Sequence, residues 1–305
     1  MNRFFVLLFT CLIYFNTSAQ ESVQTIVAKK GDGIFSILRE QGLDPSKYYV
    51  QFVELNKENI NNGSELSLGK TYKIPQATDS FIDKGRTVNV ANGQEESLYK
   101  EKLKTLSLKS RNLSDAVYYL VAEGNTNQNV YSKTIVSQLA HDFLINGAQV
   151  YVISSDSIAL NQDENFRFQE YIEIVNKRYI KNSGKYQRLL IVRSRDVIKN
   201  KNITVAIKHH QNSEEGQKFA RSIETVIGSS GTSKKNIKNL SGIFEESNDL
   251  YLAKNALPTV SVIDISSNDE KLNKEQFSMY SDRKTFANLL KKAMLNDYTE
   301  LHIEE

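Results

Sequence analysis

Five short runs of apolar or β-branched residues constrain this chain more than any other feature: Ala116 to Val121, Gln149 to Ile153, Leu189 to Arg193, Ile203 to Ile207 and Thr259 to Ile265. Each has strand length and strand composition. Segments with apolar residues at helical spacing separate most of them. Ile135, Leu139 and Phe143 recur at i, i+4 and i+8, and Phe168, Ile172, Val175 and Tyr179 line a second face. Phe219, Ile223 and Val226 make a third, and Phe286, Leu289, Leu290 and Ala293 a fourth. The alternation predicts an α/β domain over residues 113–298, with a mixed, largely parallel sheet covered by helices.

The 305 residues leave room for a second, smaller domain. Lys and Arg total 39 against 36 Asp and Glu, and a formal charge of +3 so dispersed gives no footprint for nucleic acid. The chain opens with MNRFFVLLFTCLIYFNTSAQ: a cationic Arg3, an apolar stretch from Phe4 to Phe15, and small residues Thr17 and Ala19 ahead of a cleavage point. That is the pattern of a secretory signal peptide over residues 1–19. The stretch is too short for the roughly 20 residues of a membrane span, so export to a periplasm or cell wall is expected, with no membrane span after cleavage. Cys11, the only cysteine, lies inside this segment, which leaves the mature chain without disulfide or thiolate chemistry.

Residues 23–75 carry their own signals. Thr25 to Lys29 reads as a strand, Lys30-Gly31-Asp32-Gly33 as a turn, Ile34, Ile37 and Leu38 as a helix face, Tyr49, Phe52, Val53 and Asn56 as another, and Thr71 to Pro75 as a closing strand. The predicted order is βααβ. Residues 76–112 are polar, with Leu98, Leu103 and Leu106 near helical spacing, and read as a linker or packed arm.

The first block resembles the lysin-motif family through Val27, Lys30-Gly31-Asp32, Ile34, Ser36-Ile37, Leu55-Asn56, Leu68-Gly69 and Lys73-Ile74-Pro75. That resemblance implies binding of peptidoglycan glycan in a groove formed by Gly31, Asp32, Gly33 and Ile34 with Asn59 and Asn61. Gly33 stands where the family usually has Thr or Ser, which removes one polar contact. The turn residues Gly31 and Asp32 and the apolar Ile34 would equally serve to fold a small unit.

The larger block resembles the zinc-dependent N-acetylmuramoyl-L-alanine amidases through Gly147 to Val152 and through Asp249 to Val262 with Ser266 to Glu270. What the resemblance implies for the site is at odds with the residues present. The family's first histidine position falls at Asn125, its ligand glutamate near Gln128, and its second histidine near Ser194. Catalytic zinc takes about three N or O ligands and an open position, and these side chains supply none of strength. Asp264 is a candidate for the general base, one position off the family's glutamate, and a one-residue offset on a strand turns a side chain to the other face.

The sequence therefore points to a non-catalytic peptidoglycan-binding protein without a cofactor, whose partners are the glycan and a cell-wall hydrolase or other envelope protein. Arg193 and Arg195 share one strand face and are candidate contacts for a stem-peptide carboxylate. The alternative is an active amidase with a remodelled site, and zinc enters only under that alternative. A relocated metal at His209, His210, Glu214, Glu215 and His141 is disfavoured, because neighbouring strand residues face opposite sides.

Overall fold

The computed structural model describes residues 23–60, 65–124, 129–154, 164–195, 202–229, 241–267, 277–280 and 282–303. They form two compact units, one containing the residues up to Leu38 with Pro45–Ala77, the other Arg39–Asp44 with Thr78 onwards.

In the smaller unit β1 (Thr25–Val27) and β2 (Thr71–Lys73) pair antiparallel, with Thr25 opposite Lys73. Between them come α1 (Ile34–Glu40) and α2 (Pro45–Leu55). Ile37, Leu38, Phe52 and Tyr72 are fully buried, and the Phe52 and Tyr72 rings stack at 6.1 Å. Asn56 closes the unit. Its amide donates to the Phe52 and Lys73 carbonyls, both at 2.8 Å, and its Oδ1 accepts from the Lys73 amide at 2.7 Å. A short helix and a strand are thereby tied in a unit whose apolar core is small.

The larger unit is built on a nine-stranded sheet among the described residues. Its strands are β3 (Gly85–Asn89), β4 (Glu95–Ser97), β5 (Ala116–Gly124), β6 (Gln149–Ser154), β7 (Tyr186–Arg195), β8 (Asn202–His209), β9 (Ser241–Ile243), β10 (Thr259–Ser267) and β11 (Phe277–Tyr280). The order is β11-β8-β10-β7-β5-β6-β3-β4, with β9 also on β8. The central run β10-β7-β5-β6-β3 is parallel, while β4 and β8 run antiparallel to their neighbours β3 and β10. The predicted mixed, largely parallel sheet is the one observed.

Helices cover both faces. A four-residue α3 (Phe81–Lys84) precedes β3, and the long helices are α4 (Asn129–Ile145), α5 (Glu164–Lys181), α6 (Glu214–Ser229), α7 (Ser247–Asn255) and α8 (Arg283–Ile303). Ile135, Phe143, Phe219, Ile223, Phe286 and Leu290 from α4, α6 and α8 pack on the face that carries Leu190 and Val192. Phe168, Tyr171, Val175 and Leu252 from α5 and α7 pack on the face of Leu189 and Ile191. Alternation along β7 thus sends even-numbered residues to one helix layer and odd-numbered residues to the other.

Residues 76–112, expected to be a linker or packed arm, pack as part of the large sheet. They contain α3, β3, β4 and a 3₁₀ turn over Lys100–Thr105, and β3 pairs in parallel with β6. Gly85 shows how closely this segment packs, since a Cβ there would meet Leu144 Cδ2 at 2.9 Å. The polar composition reflects an edge position: β4 exposes Glu95 and Glu96, and the Glu95 carboxylate pairs with the buried Arg178 on α5. No helix among the described residues is long and apolar enough to cross a membrane.

Candidate functional site

After β5 the chain passes through α4 to β6 on one side and then returns through α5 to β7 on the other side of β5. Open α/β sheets bind ligands outside the carboxyl ends of their strands at such a reversal. In register, Glu123 of β5 lies beside Arg193 of β7, and Arg193 beside Asp264 of β10. All three occupy the α5/α7 face.

Arg193 is the hub. Its Nε donates to Glu123 Oε2 at 2.9 Å, and its two terminal nitrogens reach both carboxylate oxygens of Asp249 on α7 at 2.8 and 3.2 Å. Asp264 Oδ1 stands 3.5 Å from Nη1. Lys208 on β8 holds the other oxygen of Asp264 at 3.0 Å, and Glu246, the N-cap of α7, meets Arg195 at 3.2 Å. Arg193 and Asp249 are buried, Asp249 completely, whereas Glu246 and Arg195 are about half exposed. The cluster is a closed charge network inside and an open one at its rim.

Burial opposes the charge on Arg193, but the bond to Asp249 and the fields of Glu123 and Asp264 more than offset this and hold its pKa above the ordinary arginine value. Glu123 behaves differently. Burial pushes its carboxyl up, Arg193 pulls it back only in part, and Asp249 adds repulsion. Its Oε1 is buried without a hydrogen-bond partner. Several acids share one guanidinium, and Glu123 ionises reluctantly.

Ser194 points to the opposite face, where its Oγ lies 3.2 Å from Ser132 Oγ of α4, and Ser132 donates to the Glu123 carbonyl at 2.9 Å. That contact fixes α4 against the end of β5. The described residues do not fit a zinc ion: the carboxylates that could serve as donors are turned onto an arginine, and Ser194 faces away from them. Among the described residues no group of three or more His, Cys, Asp or Glu side chains is placed to hold a metal. Asn125 and Gln128 lie outside the described residues. His209 uses Nδ1 on the His210 carbonyl at 2.9 Å, and His141 sits apart on α4, edge-on to Tyr99.

Of the sequence candidates, Arg193 spends its fork on Glu123 and Asp249, and Asp264, which shares the site's face, is held between Lys208 and Arg193. The sequence reading missed the roles of Glu123, Glu246 and Asp249. The available signal was charge inside apolar runs, as in Ala116-Val-Tyr-Tyr-Leu-Val-Ala-Glu123.

In the smaller unit the predicted groove residues divide. Gly31 adopts a left-handed φ of 89°, and Asp32 accepts the Lys29 amide at 2.8 Å, so both shape the turn. The Gly33 amide and carbonyl bond Ser36 Oγ at 2.8 and 2.9 Å, leaving open space at its Cα. Ile34 is only 3% exposed and belongs to the core, because the first turn of α1 directs it inward; it does not line a groove. Asn59 donates to the Thr71 carbonyl at 3.3 Å. Asn61 lies outside the described residues. Phe35, half exposed and 5.4 Å from Tyr49, was not singled out from the sequence.

No protein-family profile matches the chain, and no curated protein does. Among solved structures, the chain is similar to the apo form of the N-acetylmuramyl-L-alanine amidase Ami1 from Mycobacterium abscessus, with a TM-score of 0.42 and 9% identity over 61% of this chain and 99% of that one. The Mycobacterium smegmatis Ami1 gives 0.42 and 8% over 62% and 99%. The CwlD amidase of Clostridioides difficile, solved in complex with the GerS lipoprotein, gives 0.36 and 15% over 60% and 94%.

Proposed function

We propose that this is an exported, peptidoglycan-associated binding protein, with a lysin-motif-like module at residues 23–75 and an amidase-like α/β domain that does not hydrolyse its ligand. The observation that carries the non-catalytic reading is the Arg193 hub. At the strand ends, where an enzyme of this architecture would need an available base and an activated water, Glu123, Asp249 and Asp264 are instead committed to a fixed cation. The family resemblance supplies the ligand class, and the βααβ order of the small unit agrees with a glycan-binding module. Arg195, exposed at the rim beside Glu246, is the arginine left to meet a stem-peptide carboxylate or an envelope partner such as a cell-wall hydrolase.

The test uses the full mature chain. It should sediment with insoluble peptidoglycan and release no stem peptides from muropeptides, with or without added zinc. Gly33→Phe, placed where the backbone leaves open space, should weaken sedimentation while the chain stays folded. Stem-peptide release would overturn the non-catalytic reading, and a chain that stays in the supernatant would overturn the glycan reading.

A further inference from the structure

The α4 face of the large sheet, opposite the Arg193 hub, carries a recess of its own. Parallel register sets Thr87 of β3 beside Val152 of β6, and Val152 beside Leu120 of β5. Alternation therefore turns Thr87, Ala122, Val152 and Ser154 to the side that α4 covers. Between them and the first half of α4 lies a space of about 160 Å³. Its walls are apolar: Leu98 just past β4, Ala122, Val152, and Val136 of α4. Val136 is buried, whereas Leu98, Ala122 and Val152 pack against the core and still keep part of their surface exposed. A closed apolar cavity of roughly 150 Å³ takes up benzene, so this recess has the size of one ring or one branched alkyl group.

Thr87, Ser137, Ser154 and Lys133 supply the polar part of the lining. Hydroxyl groups both donate and accept, so three of them around an apolar floor can meet a neutral polar end of either kind. Among the described residues no acid and no histidine lines the recess. Apolar walls with a few convergent polar groups are the usual make-up of a small-molecule site, here on the scale of a fragment.

We infer that this recess binds a small uncharged molecule that has one ring or branched alkyl group and one hydroxyl or amide end, with the apolar group seated between Ala122, Val136 and Val152. The site belongs to the larger unit alone and stands whether or not the chain binds glycan. Benzyl alcohol, benzoate, glycerol and 2-naphthylmethanol, titrated against the full mature chain with methyl NMR as the readout, decide it. Benzyl alcohol should move the Val136 and Val152 methyl resonances along a saturable curve with a Kd of about 1 mM, as suits a ligand of this size. Glycerol and the two-ring alcohol should bind about tenfold more weakly or not at all. Benzoate should bind no more tightly than benzyl alcohol, because the recess selects for apolar surface and not for charge. Ala122→Leu, which fills the space, should abolish the shifts with little change in melting temperature. Val152→Ala, which enlarges it, should let 2-naphthylmethanol bind as well as benzyl alcohol does. Shifts that never saturate, glycerol binding as tightly as benzyl alcohol, benzoate binding more tightly, or both variants behaving like the parent would each overturn the inference.

Discussion

Arg188 and Arg193 lie five residues apart on β7, yet they do opposite things. Arg188 falls on the even face, sealed under α6 and α8, where it donates to the Asp297 carboxylate at 2.6 Å and to Tyr186 Oη at 2.7 Å, with its guanidinium 4.7 Å above the Phe219 ring. Tyr186 in turn donates to Asp297. One acid meets one base in a buried core. Arg193 falls on the odd face at the carboxyl end of the strand, where Glu123, Asp249 and Asp264 compete for it and the network continues to exposed Glu246 and Arg195. A balanced pair makes a structural pin; an excess of acid at a sheet reversal makes a site whose charge responds to its surroundings.

The largest effect that would sharpen this contrast is expected at the hub. Arg193→Met strands the Glu123 and Asp249 carboxylates, Asp249 fully buried, while Asp264 keeps Lys208, and should cost about 3–5 kcal/mol near neutral pH by denaturant unfolding. The deficit should shrink with acidification, because the stranded acids take up roughly two protons. Asp297→Ala strands Arg188 instead and should cost about the same without that recovery, since arginine stays charged. Combining Asp297→Leu with Arg188→Met should restore most of the loss, as replacing a buried pair with apolar side chains often does. Equal pH slopes for the two single variants would break the comparison.

A smaller effect is tied to Glu123. Its folded pKa is raised above the ordinary 4.5, so the folded state binds the extra proton, and the associated stability is present below that value and lost as pH rises through the folded pKa. Glu123→Gln should flatten that part of the stability-pH curve while leaving the Asp297 region unchanged. The smallest expected effect is none: zinc or a chelator should not move the melting temperature. A native-state site would raise stability by RT ln(1 + [L]/Kd), so a zinc-dependent rise would show that the hub yields to a metal.

Much of the architecture was legible in the sequence because period and run length are local properties. The strand-length runs became β5, β6, β7, β8 and β10, each lengthened by between one residue (Ser154 on β6) and five (on β7). The strands β3 and β4 were not legible. Gly85-Arg-Thr-Val-Asn89 has one fully buried side chain, that of Val88, and becomes a strand because β6 offers it an unpaired edge. Ile34 was read correctly as apolar but assigned two roles, and only the helix direction decides that it packs inward.

Sequence by itself determined the alternation of strands and helices, the βααβ order of the small unit and the placing of Arg193 and Arg195 on one face, since those follow from periodicity along a single segment. What meets Arg193 was decided by tertiary structure alone. Glu123, Asp249 and Asp264 stand 70, 56 and 71 residues from it along the chain, and they converge only because parallel pairing sets β5, β7 and β10 in register and α7 folds back over their ends. A charge in a strand states that it needs a partner, and the pairing of distant strands supplies it.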